Sequence, residues 1–150
     1  MNLFGVMEVS GSALEAERIR AEVVAANMAN AETTRTPEGG PYRRQHVVFT
    51  SQAPQTSFAS QFLGQAGGPP GDPPIGGVRV TSVVADQGEP LRRFDPGHPD
   101  ADKDGYVSYP DINPLTEMVD LMGATRAYGL NSSAVQAEKG MVSASLDILK

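Results

Sequence analysis

The sequence contains no cysteine and no tryptophan, and none of its apolar runs is long enough to span a bilayer. The absence of cysteine excludes disulfides, thiolate metal ligands and a cysteine nucleophile, so the fold should not depend on the redox compartment. The formal net charge is −6, and the sequence has no basic stripe of the kind that attracts nucleic acid. We therefore expect no nucleic-acid partner.

The composition predicts a small core with much loop. Only 39% of the 150 residues are hydrophobic, and the chain holds 16 glycines and 12 prolines. The N-terminal stretch carries Glu8, Glu15 and Glu17, and it lacks the basic flank and continuous apolar centre of a cleavable signal peptide. We expect that, if the chain leaves the cytoplasm, it does so by another route.

Two long helices are predicted, one at each end of the chain. Residues 3 to 31 have apolar side chains at helical spacing, and Asn30 is expected to end this helix in a left-handed conformation. Residues 114 to 150 start with Pro114 in the first turn and would extend about 50 Å. Because the core is too small to cover such a helix, we expect it to pair with the N-terminal helix. Its seam has heptad spacing, with polar members at Thr125, Ser132 and Lys139. The full seam is Met118, Leu121, Thr125, Tyr128, Ser132, Val135, Lys139, Val142, Leu146 and Leu149.

The segment between the helices is rich in β-branched and aromatic residues. The predicted fold class is therefore α+β, with long paired terminal helices that form a coiled-coil layer and a small β-rich insert between them. The segments are 1–31, 32–113 and 114–150, and the insert contains a polar, Gly/Pro-dense loop at 53–76 that is expected to be disordered apart from one helical turn at "SFASQFL". Strands are predicted at 42–49, 77–86, 91–94 and 106–109.

The stretch "DADKDGYVSYPD", residues 100 to 111, has the acidic spacing of a calcium-binding EF-hand loop. An EF-hand needs a helix on each side, and the prolines at 90, 96 and 99 exclude an entering helix. The pattern instead predicts a turn that leads into a strand. A weak cation site of another type, or a surface metal site around His98, is a less favoured alternative. Because no catalytic or nucleotide-binding motif is present, we expect no enzyme, metal, cofactor or small-molecule substrate.

Two long segments resemble bacterial flagellar rod and hook proteins. They are "AANMANAETTRTPEGGPYRRQHVVF" and "HPDADKDGYVSYPDINPLTEMVDLMGATRAYGLNSS", and the second is similar to proximal rod proteins in particular. The resemblance covers nearly the whole chain except 53–76. Gly129 and Leu130 depart from the usual Glu or Gln and Ala, and Gln136 stands where asparagine is common.

The resemblance implies a structural subunit of the flagellar basal-body rod, which transmits torque from the motor to the hook. It implies helical assembly with other rod proteins and with copies of itself, contacts with membrane-ring and hook components, and unprocessed export by the flagellar type III apparatus. The alternatives are, in order, a soluble coiled-coil adaptor outside the flagellum, a cation-binding module and an enzyme. The residues expected in the assembly interface are Val6, Ala13, Val23, Asn27, Met28, Asn30, Met118, Leu121, Tyr128, Asn131, Val135, Val142, Leu146 and Leu149.

Overall fold

A computed structural model describes residues 3 to 52 and 76 to 148, which form a mixed α+β fold with one long helix at each end. This confirms the predicted fold class in its mixed composition and its two terminal helices. Neither of the described helices is apolar enough over a sufficient length to cross a membrane. The elements are α1 (Leu3–Ala29), β1 (Gln45–Ser51), β2 (Val78–Ala85), β3 (Leu91–Phe94), β4 (Tyr106–Tyr109) and α2 (Pro114–Ile148).

The element boundaries agree closely with the sequence patterns. Strands β3 and β4 occupy the predicted residues, whereas β1 begins at Gln45, three residues later than predicted. Its start is delayed because the backbone of Tyr42 is bonded elsewhere: its N–H donates to the carbonyl of Thr33 at 3.0 Å. The predicted loop at 53–76, apart from residue 76, and the helical turn within it lie outside the described residues.

The end of α1 corrects the expectation for Asn30. Among the described residues no side-chain-bearing residue has a positive φ, so the expected left-handed conformation of Asn30 is wrong. Its side chain acts instead: the amide donates to the carbonyl of Ala26 at 2.9 Å, and Oδ1 accepts the hydroxyl of Thr33 at 3.2 Å. The backbone N–H of Asn30 still donates to the same Ala26 carbonyl at 3.1 Å, and the next N–H, that of Ala31, donates to Met28 at 3.3 Å, so the regular ladder ends at this point.

The start of α2 is capped as the sequence indicates. Asn113 stands just before the helix, and its Oδ1 accepts the backbone N–H of Leu115 at 3.0 Å. Pro114 occupies the first helical position, where the missing N–H costs nothing. The cap and the proline together fix where the helix leaves the insert.

The insert consists of two antiparallel two-stranded sheets. Strands β1 and β2 pair from Gln45–Ala85 to Ser51–Val78 with an irregularity between Val48 and Phe49, and both strands contact α1. Strands β3 and β4 pair from Leu91–Tyr109 to Phe94–Tyr106. A two-stranded sheet is marginal by itself, so each one depends on its contacts with the rest of the chain.

The acidic segment 100–111 is a turn followed by a strand, as predicted. Gly105 has a φ of +78° immediately before β4, and a Cβ there would lie 2.9 Å from the ring of Phe94. Asp100 accepts the hydroxyl of Thr34 at 2.8 Å, and Asp102 accepts a guanidinium N–H of Arg92 at 3.0 Å. Within the described ranges no group of three or more potential ligand side chains could hold a metal ion.

The two helices run antiparallel and contact each other along much of their length. Asn27 lies 3.1 Å from Glu117, and Arg20 lies 3.5 Å from Asp120. Residue numbers therefore decrease along α1 as they increase along α2. The apolar core of the described residues is small, as the composition predicted. It consists of Ala16, Val24, Val107, Ile112 and Ala124.

The face of α2 turned towards α1 differs from the predicted heptad seam. The buried members of α2 are Glu117, Ala124 and Glu138, each one position before a predicted seam residue. The predicted seam is therefore wrong as a description of the contact with α1 in the single chain, because five of its members are exposed. These are Met118, Thr125, Tyr128, Lys139 and Leu146. The physical reason is that Glu117 bonds Asn27 of α1 and Arg44 of the insert, and these bonds require the face of α2 that holds Glu117 to be turned towards α1.

Candidate functional site

Asn27 connects α1 to the insert through its side-chain amide. Its side chain is buried, with Oδ1 accepting the backbone N–H of Gln45 at 2.9 Å and Nδ2 donating to the Gln45 carbonyl at 2.9 Å. The amide thus bonds both backbone groups of the first residue of β1, as a neighbouring strand would. This arrangement fixes the position at which the first strand leaves the helix.

Glu117 is the buried charge at the centre of this contact. The residue is 1% exposed, and its Oε2 accepts the second bond from Asn27 Nδ2 at 3.1 Å. Its Oε1 accepts two N–H groups of Arg44, from Nε at 2.7 Å and from Nη2 at 2.5 Å. Both carboxylate oxygens are therefore satisfied, which is the condition under which a buried charge is tolerated. We call Asn27, Tyr42, Arg44, Gln45 and Glu117 the polar junction.

A chain of ion pairs continues from the polar junction along the helices. Arg44 Nη2 lies 3.7 Å from Asp120 Oδ2, and Asp120 Oδ1 lies 3.5 Å from Arg20 Nη2. Arg20 in turn lies 3.6 Å from Glu17 Oε2. These pairs are longer and more exposed than the contact between Arg44 and Glu117, so each contributes little alone. Their arrangement nevertheless ties α1, α2 and the insert together at one place.

Tyr42 completes the junction from the loop before β1. Its hydroxyl donates to Asn27 Oδ1 at 3.2 Å. Burial raises the pKa of the Tyr42 phenol, and the negative charge of Glu117 raises it further. Both causes disfavour the phenolate, so the junction requires the neutral form of this side chain.

We expect Tyr42 to make the protein less stable at high pH. Since the pKa of Tyr42 is raised on folding, its contribution to the free energy of unfolding is complete below the unfolded pKa of about 10. That contribution is lost as the pH rises through and beyond this value. In urea unfolding between about pH 8.5 and about pH 11, the free energy of unfolding should therefore decline less steeply with pH for Tyr42→Phe than for the wild type. An identical decline in the two proteins would contradict this role.

A second anchor holds the β1–β2 sheet against the N-terminal half of α1. The hydroxyl of Ser12 donates to the carbonyl of Val9 at 2.8 Å and accepts the backbone N–H of Val78 at 3.1 Å. A Cβ at Gly77 would lie 2.6 Å from this hydroxyl oxygen, so only glycine allows the close approach. The sheet is thus fixed to α1 at two points, Ser12 and Asn27.

The side of α2 that faces away from α1 is apolar and uncovered. Met118 is 50% exposed and Met122 is 65% exposed, and Leu115 and Val119 beside them are more than half exposed. Positions three and four apart share one face of a helix, so these four side chains form a single patch over the first turns of α2. We call Leu115, Met118, Val119 and Met122 the outer patch.

The C-terminal end of α2 extends past α1. Because Asn27 lies beside Glu117 in antiparallel helices, the start of α1 at Leu3 lies near residue 141 of α2. All residues from 143 to 148 are exposed, including Leu146 at 59% and Ile148 at 85%. We call residues 143–148 the overhang, and it presents two large apolar side chains without cover from α1.

The structure distributes the predicted interface residues among three environments. Asn27 belongs to the polar junction, Met118, Tyr128 and Leu146 are exposed, and Leu149 lies outside the described residues. Their joint role in assembly stays a prediction. The remaining members are partly buried, namely Val6, Ala13, Val23, Met28, Asn30, Leu121, Asn131, Val135 and Val142.

The sequence patterns missed three buried or partly buried charged residues, one in the insert and two in α2. Arg44 lies inside the predicted strand 42–49, while Glu117 and Glu138 occupy helix positions that heptad analysis treats as solvent-facing. The one available signal for Glu117 was its place in the first turn of α2, which favours an anion but does not require burial. Arg44 and Glu117 bond each other across 73 positions of sequence, so local patterns could not identify that pair.

Both terminal helices match models of known protein families. Residues 7–35 match the "Flagella basal body rod protein" model, and residues 103–148 match the "Flagellar basal body rod FlgEFG protein C-terminal" model. The flagellar basal-body rod protein FlgC of Borreliella burgdorferi is 39% identical, with 100% of this chain and 99% of the relative covered. The chain belongs to the FlgC family.

Other FlgC proteins support the same placement. The FlgC of Bacillus subtilis is 40% identical over 100% of both chains, and that of Salmonella typhimurium is 37% identical over 95% of this chain and 94% of the relative. The FlgC match therefore includes the insert as well as the helices. The polar junction connects the two segments that match the family models, because Asn27 lies in the N-terminal match and Glu117 in the C-terminal match.

Proposed function

We propose that the chain is a structural subunit of the flagellar basal-body rod that polymerises with other rod proteins and with copies of itself. The assembled rod is the drive shaft that transmits torque from the motor to the hook. The observation that carries this proposal is the match to FlgC proteins over essentially the whole chain. The function consists of packing and force transmission, and it needs neither catalysis nor a small ligand.

The exposure of α2 supports assembly through the terminal helices. Only three of its 35 residues are buried in the single chain, and two of these are glutamates. Burial of one large apolar side chain contributes roughly 1.5–3 kcal/mol, and the outer patch alone holds four of them. Contact with neighbouring subunits would supply the burial that α1 does not provide.

In the proposed rod the helices form an inner coiled-coil layer and the two small sheets lie outside it. The outer patch and the overhang contact neighbouring subunits, and the exposed members of the heptad seam join these contacts. The polar junction then holds the insert at a fixed angle to the helices. Torque can pass between the layers because Arg44 connects the insert directly to α2.

The proposed location is the rod between the membrane ring and the hook. The subunit would reach it through the flagellar type III export apparatus without removal of a signal peptide. The FlgC relatives are basal-body rod proteins, which supports the location. The export route follows from the resemblance of the sequence to rod and hook proteins.

The C-terminal end of the heptad seam provides a test of the proposed assembly. We expect Leu146→Ala combined with Leu149→Ala to leave secretion of the subunit normal and to abolish rod completion. Each loss in a packed seam typically costs about 2–5 kcal/mol, less near a free end, and it recurs at every subunit of the rod. The measurement is an immunoblot of secreted subunit together with electron microscopy of hook-basal bodies.

A matched control removes small polar groups from the same helix. Ser133 and Gln136 are exposed and lie outside both the overhang and the heptad seam, and Ser133→Ala combined with Gln136→Ala should leave rods complete. Normal swimming by the leucine double variant would refute the role assigned to the C-terminal end of the seam. If neither double variant completes the rod, α2 does not tolerate substitution in general, and the result does not support a specific assembly seam.

A further inference from the structure

The methionines of α2 are open to oxidants dissolved in water. The sequence has no cysteine, so the methionine thioethers are the only sulfur groups that a two-electron oxidant can attack. Met118, Met122 and Met141 are at least half exposed, whereas Met7 and Met28 of α1 are partly buried. An oxidant in solution therefore reaches the three methionines of α2 before it reaches those of α1.

Two of these methionines belong to the outer patch. Met118 and Met122 are four positions apart in α2, so their thioethers share one face of the helix with Leu115 and Val119. A methionine suits a contact surface because its flexible and polarisable side chain adapts to the shape of an apolar partner. The outer patch thus combines the side chain best able to fit a partner with the one most sensitive to oxidation in this chain.

We propose that Met118 and Met122 form a peroxide-sensitive site that decides whether the outer patch can join an assembly. A lone pair of the sulfur attacks one oxygen of hydrogen peroxide, and an S–O bond forms as the O–O bond breaks. The proton on the attacked oxygen passes to the departing hydroxide, which leaves as water. The sulfur loses two electrons and the peroxide gains them, so the products are one methionine sulfoxide and one water.

The sulfoxide changes the outer patch from apolar to polar. In the free chain the new oxygen stays in water, so the fold tolerates it. In a contact between subunits the same oxygen is buried among apolar groups without a donor, which is unfavourable at each copy. This effect rests on the proposed function, in which neighbouring subunits cover the outer patch. Oxidation therefore acts before assembly, and a reductase that converts a dithiol to a disulfide and releases water restores the thioether.

Peptide mass spectrometry after hydrogen peroxide treatment tests the site in the free chain and in purified basal bodies. In the free chain we expect Met118 and Met122 to form sulfoxide at least about threefold faster than Met28. In basal bodies the oxidation of Met118 and Met122 should be about tenfold slower or more than in the free chain. Equal rates in the two samples would overturn the inference and leave the proposed function standing. Absence of the chain from basal bodies would contradict the proposed function itself, and the inference with it.

Two pairs of substitutions at the same positions separate the polarity of the patch from its shape. Met118→Gln combined with Met122→Gln imitates the sulfoxide, because it places a polar group near each sulfur position. We expect normal secretion of this variant and no completed rods. Met118→Leu combined with Met122→Leu keeps the patch apolar at similar volume and removes the sulfur, so its rods should be complete. Complete rods with the glutamine pair, or equal failure of the two pairs, would overturn the role of oxidation at this site.

Discussion

Replacement of Arg44 by methionine should lower the free energy of unfolding by about 3–5 kcal/mol. The substitution keeps much of the aliphatic side chain and removes the two N–H groups that reach Glu117 Oε1. It leaves a carboxylate that is 1% exposed with only the amide of Asn27 as its partner. Because small domains are stable by only about 5–15 kcal/mol, urea unfolding followed by circular dichroism should show this loss clearly.

The neighbouring arginine is a matched control for this substitution. Arg43 is exposed and donates one bond from Nη1 to the carbonyl of Asp86 at 3.1 Å. Arg43→Met should change the free energy of unfolding by less than about 1 kcal/mol. The double variant Arg44→Met with Glu117→Leu should recover much of the loss, since it removes both charges together. Equal effects of the two arginine substitutions would contradict the assignment of Glu117 as the central buried charge.

Substitution of Met118 and Met122 by serine should abolish swimming while the free chain keeps its stability. Both side chains belong to the outer patch and are at least half exposed, so their loss should change the free energy of unfolding by less than about 0.5 kcal/mol each. In an assembly, the same loss removes apolar burial at every copy. Motility in soft agar and urea unfolding of the purified chain measure the two effects separately.

A polar pair on the same helix controls for changes to α2 in general. Arg126 and Ser133 are exposed and belong neither to the outer patch nor to the heptad seam. Arg126→Ser combined with Ser133→Ala should leave both swimming and stability close to the wild type. If the methionine double variant swims normally, the outer patch is not an assembly surface. If it unfolds more easily by several kcal/mol, the patch belongs to the core of the single chain instead.

The elements themselves could be predicted because their signals are local. Strands β3 and β4 are short runs of strand-forming residues between turn signals, and both were predicted at their observed residues. The start of α2 follows from Asn113 and Pro114, whose effects act within one turn. The turn before β4 needs a glycine at positive φ, and the sequence places Gly105 there.

The rotation of α2 could not be predicted because it depends on contacts distant in sequence. Heptad analysis assigns apolar residues to the interior, but α2 has enough apolar and small residues to support more than one inward face. The bonds from Asn27 and Arg44 select the face that contains Glu117, across 90 and 73 positions of sequence. Met118 and Tyr128 are consequently exposed, although their spacing is that of a buried seam.

Asn27 is a predicted interface residue whose contacts within the chain the sequence did not reveal, and its role in assembly stays a prediction. Asn27 lies in the segment "AANMANAETTRTPEGGPYRRQHVVF" that resembles rod proteins, and the resemblance places it at an interface between subunits. The structure shows a role within the chain, where its amide bonds Gln45, Tyr42 and Glu117. A buried amide with four bonds specifies one geometry, which explains why a residue of this type suits the position.

The central claim is that the uncovered surface of α2 is completed by neighbouring subunits in the rod. A density map of the purified basal body with this chain traced in it tests the claim most directly. We predict that the outer patch and the overhang pack against helices of adjacent subunits, with the contact between Arg44 and Glu117 retained in each copy. A map in which Met118, Met122 and Leu146 face solvent would contradict the account.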